Sequence, residues 1–177
     1  NTITAQELVT SFLDAKLSSS EEKIFGDFLE SLAIFVAQNT LGAFKSALHG
    51  IDFEYTKPEK RFLVSVKSGL NWGNSSQWKA LENDFKTAVK VLRQSKQVSH
   101  VECILGICYG KAPTTIKKGL IQQICGQNFW FIVSGNKDFY TDLIEPLGYK
   151  ARELNDNFNI RKSEIINKFT VEFVKDF

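Results

Sequence analysis

Asp52, Lys67 and the polar loop after them are the residues of this chain whose types and spacing best suit chemistry. Ile51, Phe53 and Tyr55 alternate with Asp52 and Glu54, and a turn-like Lys57-Pro58-Glu59-Lys60 follows. A second run, Phe62 to Lys67, stops at Ser68-Gly69. Two β-rich runs about a short polar turn predict an antiparallel hairpin. Side chains alternate along a strand, so Asp52 and Glu54 share one face, and Ser65 and Lys67 share one face of the partner. A carboxylate and an ammonium brought together at a strand end, ahead of a Gly/Asn/Ser-rich loop, suit the cutting of a phosphodiester. That reaction needs charge stabilisation on a pentavalent phosphate, an activated water and a neutralised leaving oxygen. Magnesium held by carboxylates supplies much of this, because it keeps several waters and takes one or two carboxylates besides the phosphate. A nearby lysine can orient or deprotonate the water and stabilise the developing charge. Asp52, Lys67 and one more acid would be that set.

The elements that must position these residues follow from periodicity. Residues 77–95 form the clearest helix, with Trp78, Leu81, Phe85, Ala88, Val89 and Leu92 marking its apolar face. At about 100° per residue, Glu82 falls among Trp78, Phe85 and Val89 inside that face, whereas Asp84 points elsewhere. A carboxylate in an apolar stripe is costly unless something pairs with it, which singles Glu82 out. Upstream, Leu8, Phe12, Leu13 and Leu17 predict a short helix over residues 5–17. Ser18-Ser19-Ser20 with Glu21-Glu22 reads as the start of a second helix, capped by serine and acidic in its first turn. Its apolar residues Ile24, Phe25, Phe28, Leu29, Leu32, Phe35 and Val36 cover an arc wide enough for packing and for a dimer contact. A further turn or two is expected from Leu41 to Leu48.

Downstream, Val98 to Tyr109 reads as a central strand and residues 110–119 as a loop with Lys111, Lys117 and Lys118. Asn128 to Val133 reads as another buried strand, residues 137–147 as a helix ending near Pro146 and Gly148, and residues 149–177 as a helical tail. The expectation is an α/β (mixed α+β) fold, a central mixed sheet flanked by helices. It forms a single domain over residues 1–177: helices in 5–48, a catalytic core at about 50–147, and the tail.

With 43% apolar and 12% aromatic residues, 177 residues suffice for one well-packed core. A net charge of +2 excludes a basic nucleic-acid-coating protein, so any positive surface for DNA must be local. Cys103, Cys108 and Cys125 are odd in number, lie in apolar surroundings and show no ligand spacing with His49 or His100. Buried free thiols in a reducing compartment are expected, with neither disulfide nor zinc. The apolar run Leu32 to Ala37 is too short to span a bilayer, and no signal peptide is recognisable. A soluble cytoplasmic protein with no membrane partner is the expectation.

The order Asp52, then Ser65-Val66-Lys67 on the adjoining strand, then a helix, resembles the signature of the PD-(D/E)XK nucleases. VKSGLNWGNSSQ and CGQNFWFIVSGNKDFYTDLIEPLG are similar to segments of a subgroup of type II restriction endonucleases. In that subgroup a Lys-Ser-Gly-x-Asn segment follows the catalytic strand, and a Gly-x-x-Phe-Trp run leads into a helix ending Pro-Leu-Gly. The resemblance covers roughly residues 50–150 and implies a magnesium-dependent, sequence-specific cutter of double-stranded DNA, usually a homodimer on a palindromic site. Two positions depart from the pattern: Ile51 stands where a proline precedes the first acid, and Ser65 stands two residues before Lys67 where an acid is expected. Members with serine there take the missing carboxylate from the following helix, and by position that is Glu82.

The resemblance therefore implies Asp52 and Glu82 as magnesium ligands, Lys67 as the residue that positions water, Ser65 lining the site and Glu54 a reserve ligand. Asn71, Asn74, Ser75 and Gln77 suit contacts to DNA beside the cut, or equally loop formation and a helix cap. Lys111, Lys117 and Lys118 suit phosphates, with Thr114 and Thr115 near base edges. The same fold also admits a repair or recombination nuclease that reads DNA structure. With Ser65 replacing the acid, it further admits an inactive DNA-binding module.

Overall fold

Parallel strands need a long crossover, and the stretch between Lys67 and His100 supplies one in the form of an amphipathic helix. A computed structural model of the protein describes residues 5–94, 100–143, 163–164 and 166–167. Its elements are α1 (Ala5–Leu41), β1 (Phe44–Lys45), β2 (Phe53–Lys57), β3 (Lys60–Lys67), α2 (Ser75–Gln94), β4 (His100–Ile107), β5 (Thr115–Lys117), β6 (Ile121–Cys125) and α3 (Gln127–Ser134). The strands make one sheet in the order β1-β2-β3-β4-β6-β5. Strands β3, β4 and β6 are parallel, and the outer pairs β1–β2, β2–β3 and β5–β6 are antiparallel. The fold is thus a mixed sheet with flanking helices, as the residue pattern predicts.

The chain divides into two compact units, Asn1–Phe25 with Asp142–Phe177, and Gly26–Thr141. The second contains the whole sheet, α2 and α3. On one face of its sheet, Leu81, Phe85, Ala88 and Val89 of α2 pack with Leu63, Cys103, Leu105, Ile107, Ile121 and Cys125. The opposite face carries Gly106, whose missing side chain makes room for the ring of Phe129 on α3. Trp130 is fully buried there, and its indole N–H donates to the Cys108 carbonyl at 2.7 Å. Helix α1 reaches the same layer, where the Thr40 hydroxyl donates to the carbonyl of Val133. The three cysteines are free and buried, and burial pushes the thiols of Cys103 and Cys108 up to about 12. No described helix is long and apolar enough to cross a membrane.

Several elements differ from those the sequence predicts. Residues 5–41 form one helix where two are predicted, and Ser18-Ser19-Ser20 lies in its middle. Neither glycine nor proline interrupts Ala5 to Phe25, and interior serine costs only a few tenths of a kcal/mol, so the cap signal does not break the helix. The helix does not continue beyond Leu41. Gly42 adopts a φ of 63°, the Ala43 N–H returns to the Ala37 carbonyl at 3.2 Å, and Phe44–Lys45 joins the sheet. Within residues 110–119, Thr115–Lys117 is a strand, and β6 follows where no strand is predicted.

The run Asn128 to Val133 is helical, not a strand. A short apolar run has the same appearance in either structure. Here left-handed glycines bound it, with Gly126 at φ 54° and Gly135 at 72°. Phe129, Trp130 and Val133 turn inward while Phe131 is exposed, which is helical spacing. Residues 139–143 are helical, whereas the rest of the predicted 137–147 helix and most of the 149–177 tail lie outside the described residues.

Because a Cβ at Gly106 would occupy the space of the Phe129 ring, Gly106→Ala should destabilise the protein by about 1–3 kcal/mol. Urea denaturation should show this as a lower midpoint at unchanged slope.

Candidate active site

Asp52 stands just ahead of β2, opposite Ser65 in the register that pairs Phe53 with Val64. Its backbone N–H donates to the Val64 carbonyl at 2.9 Å. One step further the ladder gives way to a side chain. Asp52 Oδ2 accepts the Val66 N–H at 2.6 Å and the Ser65 hydroxyl at 3.2 Å. Hydrogen bonds to a carboxylate are strong ones, so this pair fixes the carboxyl group at the strand end. Both bonds fall on Oδ2, and Oδ1 accepts none among the described residues.

Lys67 closes β3, half-buried, with its Nζ 5.6 Å from the centroid of the Trp72 ring. The Trp72 ring in turn lies 4.9 Å from that of Trp78, so the lysine stem and the loop share one aromatic support. The Lys67 carbonyl accepts the Cys108 N–H at 2.8 Å, which holds the ends of β3 and β4 level. Ser65, fully buried between Asp52 and Lys67, lines the site as expected. Its hydroxyl is a donor to Asp52 and adds no charge.

Glu54 shares the Asp52 face but is not available as a reserve ligand. It is buried, its Oε1 accepts the Ser46 hydroxyl at 2.6 Å, and its Oε2 accepts Arg61 Nε at 2.8 Å. Both oxygens are engaged in a structural ion pair.

Glu82 is also not brought to Asp52 and Lys67. It sits at the margin of the α2 stripe and accepts Lys86 Nζ at 2.7 Å within its own helix. That hydrogen bond holds its carboxyl below the usual range, aided by the charges of Lys86 and then Lys118. Asp84, about 200° further round α2, bonds His49 at 3.0 Å and closes over Gly50 on the approach to β2. Glu82 therefore leans to the other flank, toward the β5–β6 turn. Sheet order explains the miss, since β3 and β4 separate β2 from β6. The helical phase is as predicted, but the strand beneath that phase is not the one that carries Asp52.

Of the loop residues, Asn74 and Gln77 form a reciprocal cap on α2. Asn74 Oδ1 accepts the N–H groups of Ser76 and Gln77 at 3.0 and 3.1 Å, and Gln77 Oε1 accepts the Asn74 N–H at 2.9 Å. Asn71 and Ser75 are exposed beside them. In the second loop, Lys111 is exposed at the end of the sheet where β4 and β6 finish, near Gln127, Asn128 and Tyr140. Thr114 is exposed, and the Thr115 hydroxyl is buried without a partner among the described residues. Lys117 pairs with Ile121, which is level with Cys103 and Leu63. Lys117 thus lies four residues back from Lys67 along the strands, about 13 Å at the usual rise. Lys118 follows it in a left-handed turn at φ 54°.

One residue escapes the sequence reading. On α1 the side chains of Leu29, Ala33, Val36 and Ala37 are buried, and Glu30 lies two turns before Ala37 on the same line. Burial raises its pKa above the carboxylate range, the charge of Asp52 adds to this, and the charge of Lys67 opposes it. The buried Cys108 thiol also feels the charges of Glu30, Asp52 and Lys67. An acid in register with small apolar residues was the available signal. Among the described residues, no group of three or more His, Cys, Asp and Glu side chains stands ready to hold a metal. Asp52 with one further carboxylate nonetheless fits magnesium, which takes one or two carboxylates and completes its shell with water and phosphate.

A mixed sheet flanked by helices, with an aspartate and a lysine at the point where its antiparallel hairpin meets its parallel core, defines a restriction-endonuclease-like protein. The family model for the type II restriction endonuclease EcoO109I matches residues 1–155, and the chain belongs to that family. No curated protein matches the chain.

Removing Arg61 would leave the Glu54 carboxylate buried without its cation. Arg61→Ala should therefore cost about 3–5 kcal/mol in chemical denaturation. Glu54→Gln combined with Arg61→Met should restore much of it.

Proposed function

We propose that this protein hydrolyses phosphodiester bonds in double-stranded DNA at specific sequences, with Mg²⁺ as cofactor and as a homodimer. The supporting observation is the Asp52 carboxylate, fixed on Oδ2 by the Val66 N–H and the Ser65 hydroxyl beside Lys67. Magnesium, when bound, supplies charge neutralisation at the phosphate and a more acidic water. Asp52 would hold it through Oδ1. Lys67, steadied against Trp72, orients the attacking water and offsets negative charge as it develops on phosphate oxygens.

With a net charge of +2 the chain has no general attraction for DNA, so binding rests on particular groups. Lys111, at the site's end of the sheet, neutralises phosphates close to the cut, and Lys117 and Lys118 do so farther back. Thr114, Thr115, Asn71 and Ser75 stand where base edges or the backbone are read. Asn74 and Gln77 hold the first loop in shape. The free, buried cysteines suit the reducing cytoplasm.

A palindromic target calls for a two-fold dimer in which each subunit cuts one strand. Phe28 and Phe35, two turns apart on α1, are 45% and 63% exposed and offer an apolar face for that contact. Sedimentation at micromolar protein should give the mass of a dimer; a monomer under those conditions would contradict the assembly.

The function is tested by digesting a long DNA of known sequence. Wild type with Mg²⁺ should give discrete fragments, EDTA should abolish them, and Lys67→Ala should slow cleavage by about 10²–10⁴-fold. Cutting confined to branched DNA would identify a structure-reading nuclease, and metal-independent binding without cutting would identify an inactive module.

A further inference from the structure

We infer that Glu30 of α1 supplies the second metal-binding carboxylate of this site, in place of the acid absent at Ser65. The inference rests on the reading of Asp52 and Lys67 as a magnesium-dependent centre.

The charge pattern around the site carries the argument. Three glutamates come into question, and two already have their cations. Glu54 is bound to Arg61 at 2.8 Å, and Glu82 to Lys86 at 2.7 Å. Glu30 has no hydrogen-bond or ion-pair partner among the described residues, although it is half-buried on the apolar stripe of α1. The charges acting on it are Asp52, then Lys67, then Asp27 and Lys45. Cys108, at the joined ends of β3 and β4, is reached by Glu30, Asp52 and Lys67 together, so the three charges converge at one end of the sheet.

Two carboxylates held close together and partly out of water repel each other, and one lysine offsets only part of that cost. A divalent cation between them reverses the sign of the interaction. Ser65 remains a hydrogen-bond donor that fixes Asp52. The site then has two acids and a lysine, drawn from α1, the approach to β2, and the end of β3.

The test is Mn²⁺ binding to the DNA-free protein, followed by electron paramagnetic resonance and calorimetry, alongside cleavage with Mg²⁺. Glu30→Gln should weaken Mn²⁺ binding by about tenfold or more, a loss seen even when only a neighbour of a ligand is removed. Its urea midpoint should stay equal to or above that of wild type. Glu82→Gln should leave binding and cleavage unchanged. Adding Ser65→Glu to Glu30→Gln should recover Mn²⁺ binding, because it returns a carboxylate to the strand that carries Lys67. Wild-type affinity in Glu30→Gln, with binding lost in Asp52→Asn, would overturn the role of Glu30 and leave the Asp52 centre standing. Affinity unchanged in both variants, or absent from wild type, would overturn both.

Discussion

The structure depends on the place where β2 leaves β3. Continued pairing would have set Ile51 opposite Val66; instead the Val66 N–H is taken by the Asp52 side chain. A backbone donor near the core must find an acceptor, and here a carboxylate serves in place of a carbonyl. The substitution ends the antiparallel ladder and aims an acid at the end of a strand whose next residue is Lys67. It also sets a condition on everything around it. β3 must be held firmly on its other side, and β4 does this through a parallel register running from Lys60–His100 to Lys67–Ile107.

The central strands can be parallel because α2 carries the chain back over one face, while α3 and the end of α1 lie against the other. Burial on both faces accounts for the nearly unbroken apolar run Cys103 to Cys108. It also accounts for Gly106, where a helix comes too close for a side chain. The scaffold is thus asymmetric: the parallel core is covered by helices, and the hairpin edge carries the polar residues. The Glu54–Arg61 pair keeps that edge in register without taking part in the site's charge balance.

The parts of this arrangement legible in the sequence are those with a clean period. The hairpin and α2 alternate or repeat strongly, and their bounds differ from expectation by at most two residues. Asp52 and Lys67 were legible for the same reason, since strand parity alone puts them at one sheet end. The run Asn128 to Val133 carried no period to distinguish helix from strand; its bounding glycines did. Glu82 and Glu30 show a deeper limit. Each is an acid against an apolar stripe, and local sequence presents them alike. Only strand order shows that Glu82 looks toward β6 and Glu30 toward Asp52. That order arises from long-range pairing, and residues in one helix do not encode it.

The two margins of the sheet, β1 with two residues and β5 with three, are its shortest strands. An exposed row of unpaired backbone groups is a template for a second chain to extend, and short margins leave little of it to extend. Cation and ring are stacked over β1, where the Arg61 guanidinium lies 4.7 Å from the centroid of Phe44. Two copies of this protein therefore cannot readily fuse their sheets into one continuous ribbon. Helices and loops are left as the material for self-association, and the hairpin ends stay open to a bulky, rigid polyanion.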